Sequence, residues 1–265
     1  QATTTAKARS FGRSADVGSW RSPSQAMNPP RPKVLLVDFD PQGNASTGLG
    51  INAHARRFTA YDLLFNPDPD GLPANETVVP GLDVIPATND LASADVNMVA
   101  DPRRNYKMRD ILRDHADLFA SYDHVLIDCP PSLSLMTVNA LVAADSVLVP
   151  LQCEFFALEG LSQLIRTVQS VRNASNPGLK IQGIVLTMYD KRNNLSAQVA
   201  ADVRENLGGM VYETMIPRNV RLSEAPSHAL PALIYDRTSA GAVAYQKLAA
   251  EILAQLRRDR ATVPA

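Results

Sequence analysis

The chain has 265 residues, of which 45% are hydrophobic and 20% charged, and a formal net charge of −1. This is the balance of a globular chain, with no global basic field to draw in nucleic acid. Cys129 and Cys153 are the only cysteines, which excludes a disulfide framework and a four-cysteine metal or iron–sulfur site within one chain.

Residues 1–32 stand apart from the rest. They carry Lys7, Arg9, Arg13, Arg21 and Arg31 against Asp16 alone, contain neither Leu nor Ile, and include Pro23, Pro29, Pro30 and Pro32. With so little to bury, the stretch is expected to be a disordered basic segment with Trp20 open to water. It has no apolar h-region, so it does not read as a secretory signal. No apolar run in the chain approaches the roughly 18 residues of a membrane span. A cytoplasmic protein without a membrane partner is therefore expected. The fold is expected to begin at Lys33 and continue to about residue 258, leaving 259–265 as a short tail.

From Lys33 onward, short apolar runs alternate with helix-period runs. Val34-Leu35-Leu36-Val37 stops at Asp38, and Leu82-Asp83-Val84-Ile85-Pro86 is a weaker run. Val125-Leu126-Ile127 stops at Asp128, Ser146-Val147-Leu148-Val149 stops at Pro150, and Ile181-Gln182-Gly183-Ile184-Val185-Leu186 stops near Thr187. Such runs suit strands buried on both faces of a parallel sheet. Met108, Ile111, Leu112, His115, Leu118 and Phe119 fall on one helical face. So do Leu161, Leu164, Ile165, Val168 and Val171, and again Tyr245, Leu248, Ala249, Ile252, Leu253 and Leu256. Residues 66–75, rich in Pro, Asp and Asn, read as a long surface loop. The alternation predicts an α/β fold, a mostly parallel sheet with helices on both faces.

Ligands in such a sheet bind beyond the carboxyl ends of the strands. The first strand ends in Asp38-Phe39-Asp40-Pro41-Gln42-Gly43-Asn44-Ala45-Ser46. Its carboxylates suit Mg²⁺, held directly or through water, although Asp-Pro and Gln-Gly are also ordinary turn chemistry. A later strand ends in Ile127-Asp128-Cys129-Pro130-Pro131-Ser132, a Walker-B-like pattern whose carboxylate orders water around Mg²⁺. His54, His115, His124 and His228 show no metal-ligand spacing, and His115 reads as a core histidine. Ser132 and Ser134 lack the Gly-x-Ser-x-Gly setting of a hydrolase nucleophile.

The segment Val37-Asp38-Phe39-Asp40-Pro41-Gln42-Gly43-Asn44-Ala45-Ser46-Thr47-Gly48-Leu49-Gly50 resembles the strand-and-switch segment of ParA/Soj-type partition ATPases, in the deviant-Walker P-loop NTPase group that includes the MinD proteins. Three further blocks resemble the same family: Ile127–Ser132 around Asp128, Pro150–Gly160 around Glu154, and Ile216–Ser227 with Arg218 and Arg221. The resemblance implies that Asp40 positions the attacking water, with Asp38 near the Mg²⁺ site and Asp128 as the Walker B carboxylate. It implies that Thr187, Met188, Pro217, Arg218 and Asn219 cradle the adenine of ATP, and that Glu154 lies near the nucleotide and the dimer seam. It further implies an ATP-closed homodimer, sequence-blind DNA contact through Lys191, Arg192, Arg218 and Arg221, and a ParB-type partner that triggers hydrolysis during chromosome or plasmid segregation on the nucleoid. On residues alone, Arg218 and Arg221 could instead pair locally with Glu224, and Lys191-Arg192 could be a solvated turn.

The family's Lys-Gly-Gly-Val-Gly-Lys-Thr-Thr phosphate loop is not readable ahead of Val34. No lysine lies between Lys7 and Lys33, and neither a first strand nor the helix after the loop has a candidate. An altered reading frame over 1–32, a degenerate scaffold, or a phosphate site rebuilt from Arg9, Arg13 or Arg21 would each give this pattern. The rival functions are a non-catalytic regulatory or binding protein on the same scaffold and a MinD-like membrane-cycling ATPase. The end, Arg260-Ala261-Thr262-Val263-Pro264-Ala265, has almost no apolar surface for a membrane anchor.

Overall fold

Each of the five apolar runs becomes a strand. The computed structural model describes residues 4–8, 32–67 and 71–261. Its strands are β1 (Thr4–Ala8), β2 (Val34–Asp38), β3 (Asn75–Glu76), β4 (Leu82–Ile85), β5 (His124–Cys129), β6 (Ala144–Gln152) and β7 (Lys180–Thr187). They form one sheet in the order β3-β4-β2-β5-β1-β6-β7. β2 is parallel to β4 and β5, and β6 is parallel to β7.

β1 corrects the expectation that no strand precedes Lys33. It lies between β5 and β6 and runs antiparallel to both. Thr4 pairs with Cys129 at the tip of β5, and Ala8 pairs with Val125 near its start. The rest of residues 1–31, including Trp20 and the arginines Arg9, Arg13 and Arg21, lies outside the described residues. β3 likewise begins at Asn75, inside the stretch read as a loop.

The strands are not buried equally on both faces, as continuous apolar runs suggested. Leu35, Val37, Val125, Ile127, Val147 and Val149 are buried, while Leu36, Leu126 and Leu148 between them are only partly so. Successive strand side chains point to opposite faces, so one face of the sheet's centre is sealed more completely than the other. On the sealed face lies the main core, which takes in Met108 and Ile111 from Lys107–Asp114, Ala140 and Leu141 from Leu135–Ala143, and Leu161, Leu164 and Val168 from Ala157–Ala174. In β7, Ile184 and Leu186 join this core, whereas Val185 joins a smaller cluster with Tyr212, Ile216, Ala244 and Leu248. Helix Ala240–Ala261 therefore packs on the opposite face of the sheet.

That helix extends beyond the expected end at residue 258, and its packed stripe is narrower than the periodicity implied. Ala244, Leu248 and Ile252 pack, while Tyr245 and Leu253 are exposed. The helix read through Phe119 is interrupted, because His115 leaves helical geometry between Lys107–Asp114 and Ala116–Phe119. His115 itself lines an apolar cleft with Phe58, Leu63, Ile111 and Phe119.

Helix Ala240–Ala261 is tied to the segment after β7's edge by polar contacts. The Glu251 carboxylate accepts the N–H groups of Glu213 and Thr214 at 2.8 and 3.1 Å. Tyr212 donates its hydroxyl to Gln255 Oε1 at 2.7 Å. The Tyr212 ring packs against Gly183, where a Cβ would stand 2.5 Å from a ring carbon. Gly183→Ala should therefore cost about 1–3 kcal/mol by overpacking and lower the thermal midpoint in a calorimetric melt. An unchanged midpoint would mean that the ring yields freely.

Candidate functional site

The register of β2 against β5 sets Asp38 beside Asp128. Two strand tips read from separate apolar runs thus form one site, joined by the Phe39 N–H donating to the Asp128 carbonyl at 2.8 Å. Beyond β2 the chain turns at once. The Asp40 carbonyl accepts the Gly43 N–H at 2.8 Å, and Asp40 Oδ1 accepts the Gln42 N–H at 3.0 Å. Gly43 sits at φ +62°, a left-handed conformation that side chains disfavour, and the short helix Asn44–Gly48 follows.

Asp38 is fully buried. Its Oδ2 accepts both the N–H and the hydroxyl of Ser46, at 2.9 and 2.6 Å, and its Oδ1 accepts the Asp40 N–H at 3.2 Å. The Ser46 Oγ in turn accepts the Ala87 N–H from beyond β4, at 3.2 Å. Burial nevertheless raises the Asp38 pKa above the ordinary carboxylate value. Asp128 differs: among the described residues no donor reaches its carboxylate. Burial, together with the charges of Asp38 and Asp40, pushes it up to about 7.

Asp38, Asp40 and Asp128 form no ion pair among the described residues, and the charges of Asp38 and Asp40 bear on Asp128. Hard oxygen donors crowded in this way fit a divalent cation such as Mg²⁺. No three Asp, Glu, His or Cys side chains among the described residues are arranged to ligate a metal directly. A cation here would draw the rest of its shell from water or ligand oxygens.

The remaining predicted residues line the other strand ends. Glu154, just past β6, is exposed and borders a cavity of about 480 Å³ with Pro131, Ser132, Gln152, Phe156 and Glu159. The Cys153 N–H donates to the Thr187 carbonyl at 3.0 Å, joining this rim to the end of β7. Met188 follows at φ +54°, a strained geometry for a non-glycine residue that persists only where its surroundings enforce it. Here the Tyr189 N–H donates to the Ile216 carbonyl at 3.1 Å, and the Arg218 N–H donates to the Tyr189 carbonyl at 2.9 Å. Thr187 and Met188 are thereby brought alongside Pro217, Arg218 and Asn219. Asn219 Oδ1 accepts the Arg221 N–H at 2.9 Å and caps Val220–Glu224. From β5 to β7 lie three strand spacings, about 14 Å.

The four basic residues read as a DNA surface fall on these adjoining segments but in unequal states. Arg192 pairs with Asp190 at 3.0 Å, and the Arg192 hydrogen bonds hold Asp190 down to about 2. Arg221 pairs with Glu224 at 2.9 Å and with Asp236 at 3.4 Å, so the local pairing weighed against DNA contact is present for Arg221. Lys191 and Arg218 are exposed and form no ion pair among the described residues. Sequence reasoning missed Ser46 as the partner of Asp38, and Arg56, whose guanidinium donates to Thr47 Oγ1 and the Ala87 carbonyl. An i+8 serine and a loop arginine carry no sequence signal of such contacts.

A family profile described as an AAA domain matches residues 24–181. The chromosome partitioning protein ParA of Caulobacter vibrioides is 56% identical over 228 residues, covering 86% of this chain and 85% of that protein. The sporulation initiation inhibitor protein Soj of Bacillus subtilis is 49% identical over 223 residues, covering 84% of this chain and 87% of that protein. Among solved structures, cobyrinic acid a,c-diamide synthase from Mycobacterium smegmatis, with bound ADP and magnesium, superposes with a TM-score of 0.69 at 33% identity, covering 85% of this chain and 83% of that one.

Proposed function

Because the chain belongs to the ParA/Soj family of partition ATPases, we propose that it is the scaffold of an ATP-driven DNA segregation protein whose hydrolytic centre is Asp38, Asp40 and Asp128. The observation that carries this reading is the β2–β5 register, which brings the carboxylates from two parallel strands to one end of the sheet. The cobyrinic acid synthase likeness supports a nucleotide scaffold, and the ParA and Soj relatives supply the biological setting, chromosome or plasmid partition on the nucleoid.

In this reading Asp40 orients the water that attacks the γ-phosphate in line. Asp128, whose carboxylate no donor reaches among the described residues, and Asp38 beside it would hold Mg²⁺, mainly through water. When bound, that ion supplies charge neutralisation at the phosphates. Asp38 has a second duty, since its contacts with Ser46 and Asp40 fix the turn. Thr187, Met188, Pro217 and Asn219 receive the adenine at the β7 end, and Glu154 lies on the rim facing a second protomer. Phe155 and Phe156, both exposed, extend that dimer seam. A ParB-type protein is the proposed trigger.

Arg218 is the leading DNA contact, with Lys191, because neither forms an ion pair among the described residues. Arg192 and Arg221 contribute only after exchanging theirs. The test uses the chain with a Lys-Gly-Gly-Val-Gly-Lys-Thr-Thr loop supplied ahead of Val34, titrated onto random-sequence duplex DNA with Mg·ATP across a salt series. Phosphate release and DNA binding are both expected, and Arg218→Ala should weaken binding and reduce the salt slope by about one ion. A folded, dimerising protein that releases no phosphate would leave the non-catalytic scaffold as the reading. Unchanged DNA affinity would remove Arg218 from the surface.

A further inference from the structure

Arg56 lies in the loop that follows the Asp40 turn and forms no ion pair among the described residues. All three guanidinium nitrogens instead reach neutral oxygens. Nε and Nη2 donate to the Ile51 carbonyl at 3.1 and 3.0 Å, Nη2 also donates to Thr47 Oγ1 at 2.8 Å, and Nη1 donates to the Ala87 carbonyl at 2.8 Å. The Thr47 hydroxyl in turn donates to the Gly43 carbonyl at 3.0 Å. The fork thus gathers the start and the end of the segment after Asp40 and fastens both to the residue beyond β4.

The same Ala87 gives its N–H to Ser46 Oγ, which donates to Asp38. Both backbone groups of Ala87 therefore anchor the turn, one through the carboxylate and one through the guanidinium. A Cβ on Gly43 would collide with Arg56 Nη1, so the clamp also needs the glycine. An ammonium is a point donor and cannot span acceptors that a planar fork reaches together.

We infer that Arg56 is the positioning residue for Asp40: it clamps residues 43–51 to the end of β4, and so holds the turn that presents the Asp40 carboxylate. The inference rests on the reading of Asp40 as the group that orients water, but its geometry can be tested without turnover. The variants are Arg56→Ala, Arg56→Lys and Gly43→Ala in the chain as it stands. Amide hydrogen exchange should speed up by about tenfold or more across residues 42–51 in all three, while amides of Ala157–Ala174 keep their rates. The carboxyl-carbon NMR shift of Asp40 should move toward that of an unstructured aspartate, and lysine should not restore it.

Unchanged exchange at 42–51, a uniform rise along the whole chain, or full rescue by lysine would overturn the inference. Mg·ATP turnover of the parent chain is measured alongside. Its absence bears on the catalytic reading of Asp40, while exchange and the carboxyl shift decide the role of Arg56.

Discussion

Titrated with Mg·ATP, this chain is expected to show no saturable binding in the micromolar range, and the version carrying the family's phosphate loop should bind at least about 100-fold tighter, or roughly 2.7 kcal/mol. A triphosphate needs a nest of backbone N–H groups and cationic side chains. Residues 1–32 hold basic side chains but no readable glycine-rich loop to set such a nest around them. Topology adds a second reason. In a P-loop scaffold the phosphate loop leaves the strand that precedes it at the edge where the aspartates lie. Here β1 runs the other way, so the chain leaves it at Ala8, beside Val125, at the edge remote from Asp38 and Asp128. What remains at the site is carboxylate, which repels phosphate until a cation is present. Isothermal calorimetry decides the matter. A micromolar dissociation constant for the chain as it stands would show that phosphate is gripped without the family's loop.

Asp128→Asn should make the protein more stable at pH 8 and leave it nearly unchanged near pH 4. Burial, with the charges of Asp38 and Asp40, raises the Asp128 carboxyl from the ordinary carboxylate range to about 7 in the folded protein. Below the unfolded value the group is protonated in both states and costs nothing. As pH rises from there to the folded value, the unfolded chain ionises first, so stability is lost across that window and stays low above it. The loss is on the order of 2–4 kcal/mol for a partly exposed group shifted this far. Asparagine cannot ionise, so its unfolding curve should lack that slope. The measurement is urea unfolding of both proteins at several pH values, repeated with Mg²⁺. Added Mg²⁺ should narrow the gap, because a cation relieves the repulsion that raises the pKa. Parallel pH profiles for the two proteins would mean that Asp128 ionises normally and that the carboxylates are not crowded.

The sequence exposed most of the sheet because its strands announce themselves twice, by an apolar run and by the Asp or Pro that ends it. β2, β4 and β5 carry both marks, whereas β6 runs on through Pro150 to Gln152 and β7 ends at Thr187 on its apolar run alone. β1 carries neither, since Thr4-Thr5-Ala6-Lys7-Ala8 has no apolar run, and its place comes from pairing with distant strands. Helix Leu135–Ala143 had no periodicity to read, because it is buried nearly all round, which erases the 3.6-residue signal. The carboxylates were legible for the same reason as the strands: a charged residue closing an apolar run sits at a sheet edge. Ser46 and Arg56 were not, because hydroxyl and guanidinium act here on backbone groups and on a buried carboxylate that only the folded turn brings within reach. Arg221 fell between. Its pairing with Glu224 follows from i,i+3 spacing, but the contact with Asp236 needs the fold.

The segment bearing Arg218 is held on every side. Glu251 grips its approach at Glu213 and Thr214, Tyr189 exchanges backbone bonds with Ile216 and Arg218, and Asn219 caps the short helix beyond. Fixing a free backbone residue costs about 1–2 kcal/mol of conformational entropy, and for this loop that cost falls in folding rather than in recognition. A ligand arriving at this face meets a surface already in shape. Association there is governed by how often the partners collide in the right orientation, and by the charge that steers them, rather than by a loop waiting to close.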